Sequence, residues 1–172
     1  DCPESRGLGD VYKRQILDTM NFWMENTLNE LVSVIKKVNL IIINDEEAKQ
    51  LTSEKNIFMA AEKILETGPS KVIIKKGEHG SVYFDGKNNY LLPAYPVTSL
   101  IDPTGAGDSF AGGIAGFLST KKKIGFEEIK EAMLYGTLTA SFCVESFGIE
   151  GLRKLDKETL NRRLKIFKSY LT

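Results

Sequence analysis

Val38-Asn39-Leu40-Ile41-Ile42-Ile43 is the stretch that most limits what this chain can fold into. A β-branched run with no polar alternation has no face to offer to water, so it marks a strand covered on both sides, as in a parallel sheet. Ahead of it, from about Glu25, Leu28, Leu31, Val32 and Ile35 fall on one helical face while Glu30, Lys36 and Lys37 fall elsewhere. Earlier still, Ile16-Leu17-Asp18-Thr19-Met20-Asn21 reads as the end of a short buried strand followed by a loop. Strand, amphipathic helix and strand in succession imply an α/β fold with a mostly parallel sheet.

The same grammar continues downstream. Residues Ile57 to Glu66 make an amphipathic helix with Ile57, Ala60, Ala61, Ile64 and Leu65 inward, stopped by Gly68-Pro69. Lys71 to Phe84 reads as two strands around a glycine-bearing turn, with Lys75 and Lys76 on opposite faces. Tyr90 to Tyr95 is expected at a sheet edge, because Pro93 has no N–H for a ladder. A strand-like run, Val97 to Ile101, leads into Asp102-Pro103-Thr104-Gly105-Ala106-Gly107-Asp108-Ser109-Phe110, and a small-residue helix pattern follows as far as Leu118. Phe126, Ile129, Ala132, Met133, Gly136 and Ala140 mark a long helix continuing towards Phe147, and Asp156 is a good N-cap for a last helix with a Leu160, Leu164, Phe167, Leu171 stripe.

Composition narrows the functional classes. Lys plus Arg and Asp plus Glu both number 23, so the formal net charge is zero and no basic excess points to nucleic acid or an anionic membrane. Cys2 and Cys143 are the only cysteines and His79 the only histidine, which leaves no disulfide framework and no Cys/His zinc site and suits a reducing cytoplasm. No apolar run in the chain approaches the ~20 residues a membrane helix needs. Residues 1–15 show neither helical nor strand period and are expected to be a non-native or disordered leader, leaving 16–172 for the fold.

The glycine stretch carries the chemistry. A helix start leaves its first N–H groups without partners, and the helix dipole adds roughly half a positive charge there, so anions are attracted. Gly105 and Gly107 lack Cβ and let a phosphate oxygen approach the amides of residues 105 to 108. Asp108 beside such a site repels an anion unless it handles a proton, which points to a general base; a first-turn capping carboxylate is the ordinary alternative. A dinucleotide fingerprint fails because Phe110 stands where the third glycine belongs, and a Walker A loop fails because no Gly-Lys-Ser/Thr triplet occurs.

Asp102 to Phe110 resembles the C-terminal signature of the ribokinase-like (PfkB-type) carbohydrate and nucleoside kinases. The resemblance covers residues 16–172 and implies the ribokinase-like three-layer αβα sandwich, lacking here the N-terminal strands and lid that hold the acceptor. It implies transfer of the γ-phosphoryl group of ATP to a hydroxymethyl group of a sugar or nucleoside. By position, Gly105, Ala106, Gly107 and the Asp108 amide form the anion hole, the Asp108 carboxylate is the base, and Thr104 belongs to the nucleotide site.

Other motifs take meaning from the same resemblance. Asn44-x-x-Glu47 matches the family's Asn-x-x-Glu, which helps to hold the Mg²⁺ of Mg-ATP through water; three acids at a helix start also have the plain explanation of dipole complementation. Gly77 and Gly80 match a Gly-x-x-Gly turn near the phosphates, with Lys75 where many relatives carry Thr. Ala140 to Gly148 borders the adenine pocket in the family, and in some members a monovalent cation such as K⁺ sits by the Asp equivalent to Asp102. A small-molecule acceptor, no nucleic acid, no membrane and, for the full-length protein, a lid-mediated homodimer complete the expectation. A nucleotide-binding pseudoenzyme, a dinucleotide oxidoreductase and an inactive fragment of such a kinase are the alternatives.

Overall fold

In a computed structural model of the protein, residues 15–171 are described; the expected leader, apart from Gln15, lies outside them. They form two compact units, 15–76 with 82–91 and 77–81 with 92–171.

The first unit is built on a sheet of order β1 (Ile16–Asp18), β2 (Leu40–Asn44), β3 (Lys71–Lys75), β4 (Ser81–Phe84) and β5 (Asn89–Leu92). β1, β2 and β3 are parallel, with Leu17 opposite Ile41, Ile42 opposite Ile73, and Asn44 opposite Lys75. The connection from β3 to β4, residues 76–80, is too short for a parallel crossover, so β4 runs back and the sheet is mixed. Every residue from Leu40 to Ile43 is buried, as the unbroken apolar run demands. One core cluster joins Ile41, Ile43, Val72 and Ile74 of the sheet to helical Ile35, Ala60, Ala61 and Ile64. Each such branched side chain contributes about 1.5–3 kcal/mol on burial.

Four helices belong to this unit: α1 (Asn21–Asn26), α2 (Leu28–Ile35), α3 (Asp45–Thr52) and α4 (Ile57–Thr67). The segment after β1, expected as loop and then one helix from Glu25, is two helices. Thr27, at φ −143° and ψ 46°, breaks the winding while its amide still donates to the Trp23 carbonyl at 3.1 Å. The inward stripe shifts accordingly to Met24, Leu31 and Ile35, and Leu28 is 44% exposed.

The second unit is helical: α5 (Ala106–Ser119), α6 (Phe126–Val144), α7 (Glu150–Arg153) and α8 (Lys157–Tyr170). α5 and α6 cross at glycines. A Cβ on Gly113 would lie 2.9 Å from the Gly136 Cα, and one on Gly136 would lie 2.8 Å from the Phe110 carbonyl oxygen. Thr139 Oγ1 donates across the crossing to the Ser109 carbonyl at 2.8 Å. α8 is tied to α6 by Arg163, which donates to Glu145 Oε2 at 2.7 Å and Ser141 Oγ at 2.9 Å with its guanidinium carbon 3.6 Å from the Phe142 ring centre.

Three expectations change here. Val97 to Ile101 forms no strand, because the Ile101 and Asp102 amides both donate to the Val144 carbonyl at the end of α6 rather than to a ladder. α6 stops at Val144, and Phe147 is 79% exposed. On α8, capped by Asp156 through the Thr159 amide at 2.7 Å, only Phe167 of the apolar stripe is buried. Among the described residues no helix is long and apolar enough to cross a membrane.

The α5–α6 crossing makes a paired prediction. Gly136→Ala puts a methyl into the partner helix and lowers unfolding free energy by about 1–3 kcal/mol. Gly112→Ala, whose Cβ meets nothing within 4 Å, raises it by about 0.5–1 kcal/mol through helix propensity. Urea unfolding followed by circular dichroism reads both; equal shifts in the same direction would contradict the close crossing.

Candidate active site

In the sheet unit the polar residues collect where parallel strands end. Asn44 closes β2 and caps α3: its Oδ1 accepts the Glu47 amide at 2.7 Å, and its own amide donates to Glu47 Oε2 at 3.2 Å. This reciprocal capping box is what Asn-x-x-Glu at a helix start is expected to build. Asp45 pairs instead with Lys49 one turn along at 3.0 Å, an ordinary helix-face ion pair.

Glu47 is only 2% exposed. A buried carboxylate is costly unless donors satisfy it, and the second donor comes from outside the motif: Thr19 Oγ1 gives a 2.7 Å hydrogen bond to the same Oε2. Asp18, the last residue of β1, pairs at 2.6 Å with Lys75, the last residue of β3. Sequence reasoning left Lys75 without a partner and gave Thr19 no role. No local signal exists for either contact, since the partners are 57 and 28 positions apart.

These groups suit a hard cation. The polar atoms offered by Asn44 and Glu47 include carboxylate and amide oxygens, and both hydrogen bonds of the Glu47 carboxylate fall on Oε2. No cluster of three His, Cys, Asp or Glu able to hold a metal occurs among the described residues. Mg²⁺ takes such oxygen donors, keeps several waters and relies on ligand phosphates rather than an all-protein cage.

In the helical unit the glycine stretch runs from coil into α5. Gly105 is the N-cap at φ 79°, a left-handed conformation that costs other residues about 1–2 kcal/mol. Its carbonyl accepts the Ser109 amide at 2.8 Å, which starts the helix. The Ala106 amide donates to the Pro103 carbonyl at 3.2 Å, whereas the amides of Gly105, Gly107 and Asp108 have no partner within the described residues. Asp108 lies in the same first turn and is exposed.

Asp102 ties the entry of this stretch to the turn after α6. Its Oδ1 accepts the Thr104 amide at 2.9 Å and its Oδ2 the Gly148 amide at 3.3 Å. The Thr104 amide and hydroxyl, then the Gly148 amide, hold the Asp102 carboxyl below the usual carboxylate range. Beneath, the Cys143 thiol donates to the Thr104 and Gly148 carbonyls at 3.5 and 3.8 Å. Thus Asp102, Thr104, Gly105 and Gly148, four positions singled out in the sequence, share one loop cluster.

At the Gly77–His79 turn the Gly80 amide donates to the Gly77 carbonyl at 3.1 Å. The two glycines differ in purpose. A Cβ on Gly80 would run into the Leu92 carbonyl, while one on Gly77 meets nothing within 4 Å.

Residues 6–153 match the family described as pfkB family carbohydrate kinase. The chain is 32% identical over 111 residues to a cytidine kinase of Thermococcus kodakarensis, covering 60% of this chain and 40% of that protein. It is 35% identical over 108 residues to the ribokinase of Bacillus subtilis, covering 63% and 33% respectively. The chain therefore spans less than half the length of these curated relatives. Its fold is similar to that of aminoimidazole riboside kinase from Salmonella enterica, solved with aminoimidazole riboside and an ATP analog, at TM-score 0.76 and 21% identity over 87% of this chain and 51% of that one. The ribokinase-like α/β fold anticipated from the sequence is the fold observed.

The Asp102 tie generates a pH prediction. Because its folded pKa lies below the ordinary 3.8, its contribution is present at neutral pH and is lost as pH falls through the lower folded value. The Gly148 amide resonance should therefore titrate below pH 3.8, and Asp102→Asn should abolish that titration. A Gly148 shift that titrates identically in the variant would contradict the assignment.

Proposed function

Because the chain belongs to the pfkB family of carbohydrate kinases, we propose that the protein transfers the γ-phosphoryl group of ATP to a hydroxymethyl group of a sugar or nucleoside. The observation that carries this reading is the first turn of α5, where three amides without a partner among the described residues and the Asp108 carboxylate occur together. Amides at a helix N-terminus favour an anion, and a carboxylate beside an anion is useful only if it exchanges a proton.

In this mechanism the acceptor hydroxyl oxygen forms a bond to phosphorus as its proton passes to an Asp108 carboxylate oxygen, and the bond to the ADP oxygen breaks. Charge on the equatorial oxygens is met by the amides of Gly105, Gly107 and Asp108, with Ala106 spacing them. A preorganised donor of this kind is typically worth about 2.7–4 kcal/mol of barrier. Positioning and electrostatics supply most of the catalysis in phosphoryl transfer. Mg²⁺, when bound with ATP, neutralises and aligns the phosphates. Asn44 and Glu47 are the residues assigned to it, through water.

Gly77 and Gly80 are assigned to the turn beside the phosphates, and Thr104 and Gly148 to the nucleotide border. For Asp102 the reading is loop closure, and a K⁺ ion there would share oxygens that already accept two amides. Residues 16–172 are assigned as the nucleotide-binding and catalytic part. The spread of relatives, from a cytidine kinase to ribokinase, supports a sugar or nucleoside acceptor without choosing between them.

Asp108→Asn in the intact protein is expected to cut turnover by about 10²–10⁴-fold while leaving Mg-ATP affinity near that of the wild type. Coupled ADP release and calorimetry measure the two. Unchanged turnover would refute the base, and wild-type protein that binds ATP without forming ADP would be a nucleotide-binding pseudoenzyme.

A further inference from the structure

The Glu47 carboxylate is asymmetric. Oε2 accepts both of its hydrogen bonds, from Thr19 Oγ1 at 2.7 Å and the Asn44 amide at 3.2 Å, and among the described residues Oε1 accepts none. With two donors on one oxygen, the lone pairs of the other stay available to an incoming ligand. The Asn44 contact follows from the capping box and is the longer of the two. The shorter bond comes from a different strand end, so Thr19 sets the rotation of the carboxylate plane.

Thr19 is itself held. It is 7% exposed, its amide donates to the Ile42 carbonyl at 3.2 Å and to Asp18 Oδ1 at 3.1 Å, and Lys75 Nζ binds that same Asp18 oxygen at 2.6 Å. A β-branched side chain on anchored backbone is stiff at χ1, so its hydroxyl is aimed before any ligand arrives. Groups that hydrogen-bond a ligating carboxylate in this way orient it and tune its affinity.

We propose that Thr19 is a positioning residue that turns Glu47 Oε1 towards the hydrated Mg²⁺ of the bound nucleotide, with the Asp18–Lys75 pair fixing Thr19. The proposal rests on the Mg-ATP reading given above. It differs from simple satisfaction of a buried carboxylate in one respect: its loss is felt through the metal.

Thr19→Val keeps the shape and removes the hydroxyl, while Thr19→Ser keeps the hydroxyl. ATP binding is measured by calorimetry over a series of MgCl₂ concentrations and again in EDTA. In Thr19→Val the Mg²⁺ needed for half-maximal ATP binding should rise about 10-fold or more, Thr19→Ser should restore it, and affinity in EDTA should be the same in all three proteins. Valine and serine variants that behave alike, or a loss of equal size with and without Mg²⁺, would overturn the proposal. Wild-type protein that binds ATP equally well in EDTA would remove the cation from Glu47 and take this proposal with it, while leaving Asp108 as base. A wild type that binds no ATP would instead sink the kinase reading itself. Should Thr19→Val fail to fold, Thr19→Ala against Thr19→Ser makes the same comparison.

Discussion

The sheet unit depends on one constraint: β2 has no face for water. Burial of Leu40 to Ile43 on both sides requires covering elements, and a covered parallel strand is reached through a helical crossover. Parallel strands end on the same side, and Asp18, Asn44 and Lys75 are the last residues of β1, β2 and β3. Ion pairing and capping at that edge are thus consequences of how the apolar run is buried. The polar side chains collect where the ladder runs out of partners.

The helical unit obeys a different rule, close approach. Gly113 and Gly136 let the backbones of α5 and α6 come close at the crossing, which places the Ser109 carbonyl within reach of the Thr139 hydroxyl. The end of α6 then accepts the amides of Ile101 and Asp102, and Asp102 draws the Gly148 turn onto the loop that opens α5. The three open amides of that first turn are therefore held by contacts made elsewhere.

What could be read without coordinates was mostly local. The β2 run, the α4 helix from Ile57, the strand pair about Gly80 and the Asp156 cap all depend on residues a few positions apart, where periodicity and cap chemistry act directly. The same locality misled at Val97 to Ile101, whose β-branched character suits a strand but whose amides found the α6 carbonyl instead. It misled again before Thr27, where a stretch expected as loop winds into α1 and the helix expected from Glu25 begins only at Leu28.

Sequence by itself determined the α/β class, the glycine turn into a helix, and the placement of Asn44, Glu47 and Asp108 at helix starts, because strand period, helix period and capping are set by neighbours along the chain. Only the tertiary structure decided that Thr19 shares Glu47 with Asn44, that Asp18 meets Lys75, and that Ala106 gives its amide to Pro103. The first two join residues on different strands and depend on register, while the third is a choice among backbone acceptors that no residue type dictates. Hydrogen bonds of this kind are selected by geometry after the chain has folded, so no pattern of letters records them.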